Sequence, residues 1–385
     1  MTEQSSWRAL AAAMVGEIQA DGYLRDEALA RAFASVPRHV LVPAFYRLES
    51  DSDGRDVVAG VVDAAQPDWL STVYSNSVLV TQVKPIAGQS GAEGLTSSSS
   101  MPALMADMIE ELGIKPGMRV LEIGTGTGYN AAILCHLLGD DAVTTLDIDQ
   151  ELVAQAKDRL AGLGYQPSFD PQPATYDRIL ATHAVAEIPA DWIRWSKPGG
   201  VILTDLRSPA NSILGAWAKL TVSDDGQTAT GVLMPARGFF MSARVTPELA
   251  DIGEVMPEFT ADEHERRAES IEARPTAVPA SVFDSEAFGL YFWRQSPEIS
   301  WWVGEGTAGL NGRRAESWAY VEDLVVHYGG VEDLWVQVER AFAAWAAAGK
   351  PEMPTWKVVV NAAGRLTVVL PGAALTAVLE KGAVE

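Results

Sequence analysis

The chain has 385 residues, with 29 Lys and Arg against 51 Asp and Glu, a formal net charge of −22. Apolar residues make up 48% of it, with 12 Trp, 9 Tyr and 10 Phe, which excludes a disordered chain and provides core for two domains or three. A polyanion repels nucleic-acid phosphates and no apolar run reaches the roughly 18–20 residues of a membrane span, so neither partner is expected.

The single cysteine, Cys135, excludes an internal disulfide, and Met1–Ser6 lacks the basic-then-apolar pattern of a leader. Both features suggest a cytoplasmic protein. His39, His136, His183, His264 and His327 are scattered without ligand spacing, so no metal site is expected.

In chain order, Trp7, Leu10, Ala11, Met14 and Ile18 fall on one helical face, with Ser6 as a cap, and Asp26–Ser35 forms a second helix. Arg47–Pro67 is acidic and reads as an irregular surface excursion. Val78–Val83 is a short strand, Gly88–Gly94 a flexible loop, and Ser97–Ser100 a polar run closed by Met101-Pro102. Helix and strand then alternate: Ala103–Leu112, Arg119–Ile123, Tyr129–Leu138, Ala142–Asp147, Gln150–Leu163, Asp177–Thr182 and Gly200–Leu206. Such alternation predicts an α/β fold, a parallel sheet with helices on both faces.

Past Arg244 the texture changes. Residues 245–385 carry 22 acids and 11 bases and seven of the twelve tryptophans. Leu334–Ala348 reads as a helix, and Lys357–Val360 and Leu366–Leu370 as a hairpin about Asn361–Gly364. Prolines cluster at 247–279, where a boundary to a smaller α+β C-terminal domain is placed: 1–244 as one domain, its part from 101 the sheet, and 245–385 as an extension. The extension's tryptophans either build its core or form a peptide-binding surface.

The chemistry-bearing segment is Glu122-Ile123-Gly124-Thr125-Gly126-Thr127-Gly128, a strand entering three glycines and then a helix. Glycines allow the tight turn and bring backbone amides against a ligand. Asp147 ends the next strand, where a carboxylate can accept from both hydroxyls of a ribose. The spacing Gly-x-Gly-x-Gly differs from the dinucleotide fingerprint and resembles the first motif of S-adenosylmethionine (SAM) methyltransferases.

The flanks narrow this resemblance. Val36-Pro37-Arg38-His39, Val42-Pro43-Ala44-Phe45-Tyr46, Ser100-Met101-Pro102, Gly117–Gly124, Tyr176-Asp177-Arg178-Ile179, Glu187-Ile188-Pro189 and Lys197-Pro198-Gly199-Gly200 resemble, in order, the blocks of protein-L-isoaspartate O-methyltransferases. The tail looks like that of an actinobacterial subgroup that tailors ribosomally made peptides (graspetides, lanthipeptides) by methylating an Asp that closes to aspartimide. The resemblance implies a Rossmann-like methyltransferase sheet and SAM as cofactor, giving S-adenosylhomocysteine. It implies Glu122, Gly124, Thr125, Gly126, Thr127, Gly128 and Asp147 as cofactor residues and Ser100 as the group that holds the substrate carboxylate. His183 is either a substrate contact or a structural histidine. The partner is a peptide or protein bearing Asp or isoaspartate.

Gln166–Thr175 holds Pro167, Pro171 and Pro173 where the family has a third strand ending in Gly-Asp, so that strand is either lost or omitted from the chain. The expected function is carboxyl methylation of an Asp in a modified ribosomal peptide. The alternatives are an isoaspartate repair methyltransferase and a non-catalytic peptide-binding relative.

Overall fold

The structure, a computed structural model, describes residues 3–50, 56–86, 93–209, 214–235, 238–244, 246–250, 271–312, 317–353 and 356–370. The expected loop at Gly88–Gly94 and the boundary near 245–280 lie largely outside these residues.

The chain opens with α1 (Glu3–Ala20), which already contains Ser6, so that residue is not its cap. The carboxylate of Asp26 accepts from the amides of Ala28 and Leu29 and starts α2 (Glu27–Ser35). A short α3 (Arg38–Leu41) follows Pro37, and a second short helix, α4 (Trp69–Val73), comes later. The supposed excursion is instead an antiparallel hairpin, β1 (Ala44–Ser50) with β2 (Asp56–Asp63). Its pattern was hidden because Val57, Val58 and Val61 are exposed and only Val62 is buried, leaving no alternation to read. With β3 (Leu79–Pro85) and β4 (Glu93–Ser99) the hairpin makes a four-stranded sheet in the order β2-β1-β3-β4. The serine run therefore belongs largely to a strand edge, not to a loop.

The second sheet carries the site. Its parallel half is β5 (Val120–Ile123), β6 (Val143–Leu146), β7 (Tyr176–Val185) and β8 (Ser196–Arg207), in the order β8-β7-β5-β6. Beyond β8 the pairing turns antiparallel through β9 (Gly215–Val222) and β10 (Ala229–Pro235), which the sequence reading did not anticipate. At the β6 edge a single parallel bridge joins Thr144 to Ser168; Ser168 donates its amide to Val143 and accepts from the Thr145 amide. In the proline-rich stretch that bridge is all that stands beside β6, so this chain has no third strand there.

The C-terminal part forms a five-stranded antiparallel sheet: β11 (Glu272–Pro275), β12 (Ile299–Gly304), β13 (Thr307–Gly312), β14 (Ser317–Glu322) and β15 (Val325–Gly330), ordered β11-β15-β14-β13-β12. The chain then returns to the main sheet, where the expected hairpin, β16 (Trp356–Val360) and β17 (Leu366–Val369), extends it from β10 to eight strands.

Strand alternation splits the core in two. Val120, Leu180 and Leu203 face α5 (Pro102–Leu112), α6 (Tyr129–Leu138) and α7 (Gln150–Gly162). Leu121, Ile179 and Ile202 face α8 (Ala190–Trp195) and the C-terminal helices α9 (Glu286–Gln295) and α10 (Trp335–Ala347). Trp293, Trp301, Trp335, Trp345 and Trp356 are buried in this second cluster, so most of the tail's tryptophans are core. No helix among the described residues is long and apolar enough to cross a membrane.

Candidate active site

A cavity of about 430 Å³ opens where the parallel strands of the main sheet end, within the range of small-ligand sites. Its floor is the glycine turn. Gly124, Gly126 and Gly128 all have positive φ (106°, 50° and 84°). A side chain on Gly124 would overlap the Thr182 hydroxyl, and one on Gly126 would reach 3.5 Å from Ser97 Oγ. Gly128 is not among the residues lining the cavity; its α-carbon faces Leu160 and Ala156, where the absence of a side chain lets the helix pack close.

The turn is pinned from beneath. Glu122 is fully buried and accepts from Thr145 Oγ1 (2.6 Å) and Asn130 Nδ2 (2.7 Å). With Glu122 ionised, the Thr145 proton points at it and the Thr125 hydroxyl donates to Thr145 Oγ1 at 2.7 Å. Burial pushes the Glu122 carboxyl up to about 7, against the two hydrogen bonds that favour its charged form and with the nearby Asp147 adding to the rise. Glu122 thus orients the turn through its neighbours. Asp147 accepts from the Gly126 amide on Oδ2 and from the Asp149 amide on Oδ1, both at 3.0 Å. It lines the cavity beside Ile148, an apolar side chain 41% exposed. Each carboxylate oxygen keeps an accepting position, which suits the diol of a ribose.

The opposite wall is Thr96–Ser100. Its anchor, absent from the expected site residues although quoted within a motif, is Arg38. This guanidinium is fully buried and donates to the carbonyls of Val73, Ser75, Ser77, Ser99 and Ser100 and to Ser99 Oγ. Among the described residues no carboxylate pairs with it, and burial lowers it to about 10. Held by its carbonyl, half-buried Ser100 lines the cavity, and no described group hydrogen-bonds to its hydroxyl. Gln82 joins this wall to the cofactor side by accepting from Thr96 and donating to Asp149.

His183 and Trp192 close the third side, edge to face at 6.0 Å. Burial lowers the imidazole pKa, against the pull of Asp147 and a hydrogen bond to the Ile123 backbone, so the ring is neutral at pH 7. The segment Met241–Arg244 completes the enclosure. It hydrogen-bonds to Ala184 and is tied to Asp149 by Arg244 (3.6 Å). Asp205 holds the preceding residues by accepting from the Phe240 amide while paired with Arg207 at 2.6 Å. Eight of the nine expected site residues therefore meet around one cavity. No group of three or more His, Cys, Asp or Glu among the described residues is arranged to hold a metal, and Cys135 is buried in α6.

A glycine turn at the carboxyl ends of parallel strands, with an acid closing the next strand and an antiparallel flank beyond β8, defines a Rossmann-like methyltransferase. The sequence profile of "Protein-L-isoaspartate(D-aspartate) O-methyltransferase (PCMT)" matches residues 55–230. The protein-L-isoaspartate O-methyltransferase of Azorhizobium caulinodans is 32% identical over 219 residues, which cover 54% of this chain and 83% of that protein. The Thermotoga maritima enzyme of the same name is 29% identical over 176 residues, 42% of this chain and 54% of that one. The chain belongs to the protein-L-isoaspartate O-methyltransferase family. A solved protein-L-isoaspartate O-methyltransferase shares the fold with a TM-score of 0.53 at 20% identity, covering 93% of this chain and 98% of its own, so the likeness runs past residue 244.

Proposed function

We propose that the protein transfers a methyl group from SAM to the free α-carboxylate of an isoaspartyl residue in a peptide or protein. The observation that carries this reading is the pairing of two walls: Gly124–Thr127 with Asp147 on one side and Ser97–Ser100 on the other. When bound, SAM supplies a sulfonium methyl group that an ionised carboxylate takes in line, so no general base is needed. The chain's part is positioning and exclusion of water. Asp147 accepts from the ribose hydroxyls, and Ile148 gives the base an apolar face where the third strand is missing. The Ser100 hydroxyl donates to the acceptor carboxylate, with its backbone fixed by Arg38. His183, being neutral, bounds the acceptor's side of the cavity without adding a charge.

The acceptor assignment is tested with paired peptides. Methyl ester on an isoaspartyl peptide and none on its aspartyl twin is the expected result, read by mass spectrometry. A second reading, methylation of a normal Asp in a ribosomal peptide followed by closure to aspartimide, rests on the sequence resemblance of the tail alone. It predicts the reverse preference, methyl ester on the aspartyl peptide and none on the isoaspartyl one; closure with loss of methanol is open to either ester. No turnover on either peptide together with no heat on titrating SAM would sink both enzymatic readings and leave a peptide-binding relative. The boundary at 244 stays part of this proposal only as the start of an extension, 245–385, that completes the main sheet and faces the substrate, and not as the edge of an independently folding unit.

A further inference from the structure

The five-stranded sheet turns one face to the core and the other outward. Trp301, Leu310, Val321 and Val326 point inward, so their neighbours along each strand point out. In register across the outer face, Trp302 lies opposite Gly309, Gly309 opposite Tyr320, and Tyr320 opposite His327. The Trp302 indole folds over Gly309, where any side chain would overlap it, and remains 43% exposed at the edge strand β12. Tyr320 and His327 stack at 4.6 Å and 11°. This is the exception to the buried tryptophans of the tail.

One end of this row is negative. Glu305 sits in the β12–β13 turn and Glu322 and Asp323 at the β14–β15 turn, placed side by side by the pairing of Thr307 with Glu322. All three are exposed, and no described ion pair includes them. Arg274 of β11 faces the other way, bound to Asp333 and Glu339. A ring face beside unpaired carboxylates is attractive to a cation and repulsive to phosphate.

We infer that this face binds a cationic stretch of polypeptide, its arginine or lysine side chains lying on Trp302 and Tyr320 with their charges toward Glu305, Glu322 and Asp323. That the stretch belongs to the methyl acceptor rests on the function proposed above; the binding itself does not.

The test uses the full chain and a short labelled peptide of alternating Arg and Gly, followed by fluorescence anisotropy. Binding should saturate, weaken as added salt screens the carboxylates, and be absent for a Glu–Gly counterpart. Trp302→Ala and Trp302→Leu should each weaken it roughly five- to tenfold, as should the triple change Glu305→Gln, Glu322→Gln and Asp323→Asn. S-adenosylhomocysteine affinity should be unchanged in all of these, because none of the residues lines the cavity. Equal binding by parent and Trp302 variants, or equal binding of the Glu–Gly peptide, overturns the inference. Failure of the parent to bind S-adenosylhomocysteine would instead remove the proposed function and leave this surface standing.

Discussion

Glu122 stands in the middle of β5 with no solvent exposure, held toward its neutral form by burial. Its folded pKa near 7 exceeds that of the unfolded chain, so the folded protein holds a proton that the unfolded chain gives up. Stability of the ligand-free protein should therefore fall as pH rises from the ordinary glutamate range to about 7, by on the order of 3 kcal/mol. Glu122→Gln should flatten that slope, since the Asn130 amide can turn and the Thr145 hydroxyl rotate to suit it. Urea unfolding at acidic and mildly alkaline pH measures this; equal slopes in both proteins would refute it. Asp147→Ala should weaken S-adenosylhomocysteine binding at least tenfold by calorimetry, whereas Ser100→Ala should lower turnover and leave that affinity nearly unchanged. The glycine turn and Asp147 were legible because their chemistry is local to the backbone. The role of Arg38 was not, because its acceptors lie at residues 73–100, far off in sequence and brought together only by folding.

At the scale of elements, strands buried on both faces, such as β5 and β6, and amphipathic helices announced themselves. Strands exposed on one side, like β2, or made of small and mixed residues, like β9 and β10, did not. The reach of Arg38 across the serine strand yields an expectation here. Arg38→Met removes a buried donor to five carbonyls and should destabilise the chain by roughly 2–4 kcal/mol, with loss of turnover exceeding loss of cofactor affinity. The turn of the β16–β17 hairpin makes a second contact that sequence does not show. Gly364 has φ of 87° and accepts from the Ile188 amide, and a methyl group there would overlap the Ile188 carbonyl. Gly364→Ala should cost at least about 1 kcal/mol and, through Pro189 and Trp192 at the cavity wall, weaken acceptor binding; a thermal melt and a KM comparison check both.

For the molecule as a whole, the tail is less separable than its composition suggests. It supplies α9 and α10 against one face of the main sheet and two strands to its edge. Arg294 of α9 is buried and donates to the carbonyls of Ala186 and Leu366 and to Glu187. A fragment ending at residue 244 should therefore show no cooperative melt and no S-adenosylhomocysteine binding, and a well-folded, cofactor-binding fragment would contradict the arrangement seen here.

The late arrival of the β16–β17 hairpin also bears on biosynthesis. By the time β8 has left the ribosome, the sheet face carrying Leu121, Ile179 and Ile202 is covered only by α8, and the rest of its cover lies between residues 278 and 368. At roughly 5–20 residues per second the nascent chain must keep that apolar surface from other proteins for on the order of ten seconds, a window in which chaperone supply, more than final stability, sets the yield of active protein.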